Sequence, residues 1–245
     1  MQAIAAVTMV LLIPFFPWSF PTQWSFYGLL LLASLFYAAN DRLQMTIRRH
    51  LHMSVYTLLN RLVFVFLFIY GLQVFNEDFL LSKALGVGLI VGANTVLFFE
   101  RKNSSFSKYA MRAIIAAFAL ATAIIIDISV SKAFNLPLYI ALTLCIPGLI
   151  IMLFERVSIG RLRQEIRHAE IPGYLMAGSM WGASIFFSLR ALQVGRVTTV
   201  VSFQSFALLV NVALAYFVLK DRQHTFRKVA AACIAGVGMV LLVVN

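Results

Sequence analysis

Long apolar stretches alternate along this chain with short polar or basic links. Nine stretches, lettered a to i, are predicted as helices: a at 1–16, b at 25–47, c at 53–74, d at 82–99, e at 109–131, f at 136–154, g at 171–191, h at 198–219 and i at 227–244. Most approach the roughly 20 residues that carry a helix across a bilayer core. Segment a is the weakest. It is short and ends at Pro14 and Pro17, after which Trp18 and Trp24 are placed like interfacial anchors. The longest link, "ERVSIGRLRQEIRHAEIPG" from Glu155, is amphiphilic and suits a membrane surface. No link is long or polar enough for a soluble domain. The fold class expected is an all-α polytopic membrane protein of about nine transmembrane helices.

One interruption stands out. In "FNEDFLLSKALGVGLIVGANTV", from Phe75, the acidic pair Glu77-Asp78 and then Lys83 break the apolar run before a glycine-studded helix. Shifting the chain by 144 positions lays this stretch on "LKDRQHTFRKVAAACIAGVGMV". Glu77 falls on Asp221, Lys83 on Arg227 and Gly92 on Gly236; further back Asn60 falls on Gln204 and Tyr37 on Trp181. The charged hairpin, flanked by helices of equal length, carries more weight than the scattered identities. The copies lie five helices apart, and an odd spacing turns one copy over in the membrane. This predicts an inverted-topology repeat of 4+5 helices, residues 1–100 and 101–245, within a single membrane domain. Segment e has no counterpart in the first copy; its partner is expected before Met1.

Composition agrees with lipid as the solvent. The 245 residues are 62% hydrophobic and only 12% charged, with a mean hydropathy of +0.91, where a soluble domain is about a quarter charged. The net charge of +11 does not point to nucleic acid, because its basic residues sit in short clusters between apolar runs. Those clusters fall on alternate links. Fifteen Lys and Arg lie in the b–c, d–e, f–g and h–i links, against four in the others, Lys83, Lys132, Arg190 and Arg196. The bias predicts the amino end inside and the carboxyl end outside. Cys145 and Cys233 both lie in apolar runs, so no disulfide framework is expected.

The stretches "VTTVVSFQSFALLVNVALAYFVLKDRQHTFRKVAAACIAGVGMVLLV" and, more weakly, "SVYTLLNRLVFVFLFIYGLQVFNEDFLLSKALGVGLIVGANTVLF" resemble the drug/metabolite transporter superfamily in its EamA-like branch. Both look like that family's paired helices, joined by an acidic-basic hairpin and followed by a glycine-rich helix. The resemblance covers most of 25–244 and is strongest over 171–244. It implies ten helices in two inverted halves, of which the first is absent here, and a substrate site near the midplane. Two further departures stand. Segments c and h lack the mid-helix proline common in the family's fourth and ninth helices. The family commonly has both termini in the cytoplasm, which the charge bias of this chain opposes.

Polar residues inside spans are the candidates for chemistry. In "AIIIDISV", Asp127 puts a carboxylate in a strongly apolar helix, where it could bind a cation or carry a proton; the plainer reading is a near-end residue paired loosely with Lys132. Arg61 could hold an anion or snorkel towards the basic b–c link. Asn60 and Gln204 could line a cavity or bond helix to helix. Tyr37 and Trp181 could stack on a substrate or pack against lipid and core. Asp41-Arg42 reads as an internal or interfacial pair. Gly88-xxx-Gly92 and Gly178-xxx-Gly182 fit close helix crossings. No phosphate-binding glycine loop, metal signature or nucleophile–base set is present, so no cofactor, metal or catalytic residue is expected.

The function expected is a secondary transporter moving a small metabolite or amino-acid-like solute by alternating access, in the direction of export, in a bacterial inner membrane. Its partners are the small-molecule substrate and the bilayer, with homodimerisation left open. A flippase for a lipid-linked molecule is the alternative within this fold. An intramembrane enzyme or a non-transporting scaffold are the alternatives outside it.

Overall fold

The computed structural model describes residues 1–50, 59–60, 62–75, 81–98, 108–156, 160, 171–197, 199–200, 204, 234 and 237. Among them every regular element is helical: α1 (Gln2–Leu12), α2 (Trp24–Arg48), α3 (Leu62–Val74), α4 (Leu81–Phe98), α5 (Lys108–Val130), α6 (Leu136–Phe154) and α7 (Ile171–Val194). Three stretches are long and apolar enough to cross a membrane, Tyr109–Ala133, Leu136–Phe154 and Ile171–Val194. Arg61, the first charged break at Glu77-Asp78 and its repeat at Asp221–Arg227 lie outside the described residues.

The α1 helix is shorter than the apolar run suggests. Its 11 residues rise only about 16 Å, roughly half the hydrocarbon thickness. A 3-10 turn, Ile13–Phe15, follows, with Pro14 at its start, and the chain is extended at Phe16. Proline cannot supply the amide that another α-turn needs, so Pro14 and Pro17 stop the helix. In contrast, α6 has the predicted bounds, because "NLP" marks its start. Asn135 caps it, its Oδ1 accepting from the Leu138 amide at 3.1 Å, and Pro137 sits in the first turn, where no amide is missed.

The chain forms two compact units. The first, residues 1–42 and 122–194, is built on α1 packed against α6 and α7. Ala5, Ala6 and Met9 of α1 are buried, while Val7, Val10 and Leu11 on its other side are exposed. Close approach to α7 is possible because that helix presents glycine. A Cβ at Gly178 would stand 2.7 Å from Ile4 Cγ2 and 2.8 Å from Ile4 Cβ; one at Gly182 would stand 3.2 Å from the Ala5 carbonyl oxygen. The Gly178-xxx-Gly182 face is thus a tight crossing. A Cβ at Gly88 or Gly92 would meet nothing within 4 Å.

The second unit covers 43–121 and 195–245. Its described core has two parts. Ile47, Ala113 and Ala116 pack with Leu43 and Leu59, and Phe68 and Val87 pack with Leu72, Ala84 and Val91. Phe118 meets Phe66 edge-on, with ring centroids 5.5 Å apart.

Candidate functional site

The first unit contains a carboxylate with built surroundings. Asp127 lies in the last turn of α5 and is only 5% exposed. Two things disfavour a charge there. The neighbours are apolar, among them Ala123, Ile128 and Val130, and the carbonyl end of a helix repels an anion. The compensation comes from two phenols. Tyr37 of α2 donates its hydroxyl to Asp127 Oδ2 at 2.7 Å. Tyr139 of α6 donates to Oδ1 at 2.8 Å. One carboxylate therefore joins three helices.

The position of Tyr139 follows from the α6 cap. Its amide donates to the Asn135 carbonyl at 2.9 Å, which makes it the first turn of the helix. Asn135, itself 2% exposed, is fixed from the other side. Its Nδ2 reaches the carbonyls of Ile13, Phe16 and Pro17 at 3.4, 3.2 and 3.1 Å, and its amide donates to Ser19 O at 2.9 Å. The segment after α1 is thus tied to the start of α6. Phe134 packs on the Tyr139 ring with centroids 5.4 Å apart and on Tyr27 at the same separation. Tyr139 has no exposed surface, whereas Tyr37 is half-buried.

A carboxylate offers about four acceptor positions. The two phenols occupy one on each oxygen, so the group can still accept from an ammonium or hold a cation. Of the two readings of Asp127, a loose pair with Lys132 is not the arrangement found: both oxygens go to tyrosines, and Lys132 is exposed in the turn beyond α5.

Of the predicted residues, the structure brings Asp127 and Tyr37 together, through the Tyr37 hydroxyl rather than a stacking face. Trp181 is 39% exposed on α7. Asn60 and Gln204 are half-buried in the second unit, and Arg61 lies outside the described residues. Asp41 and Arg42 each bond residues outside the pair. Gln2 Nε2 donates to Asp41 Oδ2 at 2.6 Å and Asn40 Nδ2 to Oδ1 at 3.2 Å, while Arg42 Nε meets Glu155 at 2.9 Å with both side chains about half exposed. Tyr139 is the residue that sequence reasoning missed. A signal existed: the turn between α5 and α6 is short, and Asp127 and Tyr139 are equally distant from its centre at 133, so an antiparallel hairpin sets them opposite each other.

No family model matches the chain, and no curated protein matches it.

Proposed function

We propose that this chain is a secondary transporter of the drug/metabolite type, resembling the EamA-like branch. It would move a small metabolite or amino-acid-like solute by alternating access, as an exporter in a bacterial inner membrane. In this reading the nine predicted segments form two inverted repeats, and Asp127 is the coupling residue. The observation that carries it is the Asp127 carboxylate, enclosed in an apolar helix of membrane-crossing length and bonded by two tyrosines from different helices. An ionisable group is costly to keep in an apolar span, up to about 3 kcal/mol at a helix centre and less in the last turn, where Asp127 lies. Its three-helix setting gives it a way to act: a proton or cation that takes a tyrosine's place loosens α2 or α6 from α5.

The test uses the full chain in proteoliposomes loaded with a pH-sensitive dye, challenged with a panel of amino acids. The expected result is solute-driven proton movement that is lost in Asp127→Asn. Uptake in Asp127→Asn with an unaltered pH dependence would remove Asp127 from the coupling role. No flux with any of the amino acids would remove the amino-acid-like solute.

A further inference from the structure

The first unit also holds a cavity of about 400 Å³ that the role of Asp127 does not use. Its polar lining is Ser19, Ser131, Lys132, Asn135, Arg190 and Gln193. The volume suits a small metabolite. Two of these residues are basic, and none of the described lining residues is acidic.

The neutral polar groups are largely committed to one another. Gln193 Nε2 donates to Ser131 Oγ at 2.8 Å, and Arg190 Nη1 donates to Gln193 Oε1 at 3.2 Å. Asn135 spends its side chain on the cap and on the carbonyls of Ile13, Phe16 and Pro17. The Arg190–Gln193 bond takes up one nitrogen of a planar fork, leaving the others to face a guest. Lys132 adds a compact positive charge from a different element. Lys132 is well placed just beyond the carbonyl end of α5. Both basic residues border one cavity that has no acidic residue in its described lining, an arrangement complementary to an anion.

We propose that this cavity binds a small organic anion, its carboxylate or phosphate held by Lys132 and Arg190. The same head chemistry is found on free metabolites and on anionic lipids, and the experiment separates the two.

The full chain is placed in nanodiscs of phosphatidylcholine and titrated calorimetrically with inorganic phosphate and with propionate. The expected result is saturable binding of one anion per chain. Lys132→Gln and Arg190→Gln each weaken it at least tenfold, and Arg190→Lys weakens it less. Lys132→Gln is the cleaner variant, since Arg190 also bonds Gln193; an unchanged melting temperature without anion shows that it folds. In nanodiscs containing phosphatidylglycerol, loss of the phosphate signal in the native chain assigns the site to a lipid headgroup. Its persistence assigns it to a soluble anion. Equal heats from sodium chloride at matched ionic strength, or undiminished affinity in Lys132→Gln/Arg190→Gln, would overturn the proposal. These are equilibrium measurements, so they stand or fall separately from transport, and Asp127→Asn is expected to leave the binding intact.

Discussion

A carboxylate enclosed by apolar side chains has to be solvated by the protein, and the two tyrosines at Asp127 do this unequally. Tyr139 is fully buried, so no water can replace its hydroxyl. Tyr139→Phe keeps the ring and its contact with Phe134 while leaving Oδ1 bare, at a cost of about 2–3 kcal/mol. Tyr37→Phe leaves Oδ2 bare in turn, but from a residue that is half-buried as a whole, and a smaller cost of about 1–2 kcal/mol is expected. Thermal unfolding in detergent should rank the native chain above Tyr37→Phe, and that above Tyr139→Phe. The reverse order would mean that the site opens on the Tyr139 side. Asp127 itself was legible as a lone acid in an isoleucine-rich run. Its solvation was half legible. Tyr37 was singled out for its face rather than its hydroxyl, and Tyr139 was lost in "LPLYIALTLC", where one aromatic looks like one more core residue.

Helix pairing in the first unit depends on small side chains and on one cap. Gly178→Ala would press a methyl group against Ile4 Cβ and Cγ2, and Gly182→Ala would press one against the Ala5 backbone. Each should cost about 1–3 kcal/mol by overpacking. Gly173→Ala, with nothing within 4 Å of the new group, should stay within about 1 kcal/mol of the native chain. Adding Ile4→Ala to Gly178→Ala relieves only the Cγ2 clash, so partial recovery is expected in the same melting assay. For the cap, Asn135→Ser keeps an acceptor for the Leu138 amide but no donor for Ile13, Phe16 and Pro17. Asn135→Ala loses both. Serine should therefore retain part of the stability, with alanine costing about 2 kcal/mol or more. Both glycine motifs were legible as candidate crossings because spacing puts two small residues on one face. Spacing does not say which helix arrives there, and among the described residues a Cβ added to the first motif would meet nothing within 4 Å.

Seven helices are described, and three of them meet the length and hydropathy of a membrane span. Their outer surfaces agree with lipid: Leu149, Leu153, Met176, Met180 and Phe187 are all exposed, a density of apolar surface that water would not leave uncovered. Helix bounds were the most readable feature, since prolines, a capping asparagine and basic links punctuate the apolar runs. The amino-terminal segment, the weakest of the apolar runs, is α-helical only to Leu12, because Pro14 stops it short of residue 16. Inverted topology is the remaining expectation for the chain as an assembly. With 15 of 20 Lys and Arg on alternate links, a reporter fused at Asn245 should be active only outside the cytoplasm. Cytoplasmic activity would reverse the orientation and favour the arrangement common in the resembling family.

The bond between Asp127 and Tyr139 spans only 12 residues of sequence, and that shortness bears on how the protein is made. An acidic residue leaving the translocon on a lone helix enters lipid with its charge bare. Here α5 and α6 can leave as a hairpin in which the acid has already found a hydroxyl, and Tyr37, synthesised earlier, can close the second bond afterwards. The order of synthesis thus lets this buried acid reach an apolar setting with a chaperone of its own, four residues into the next helix.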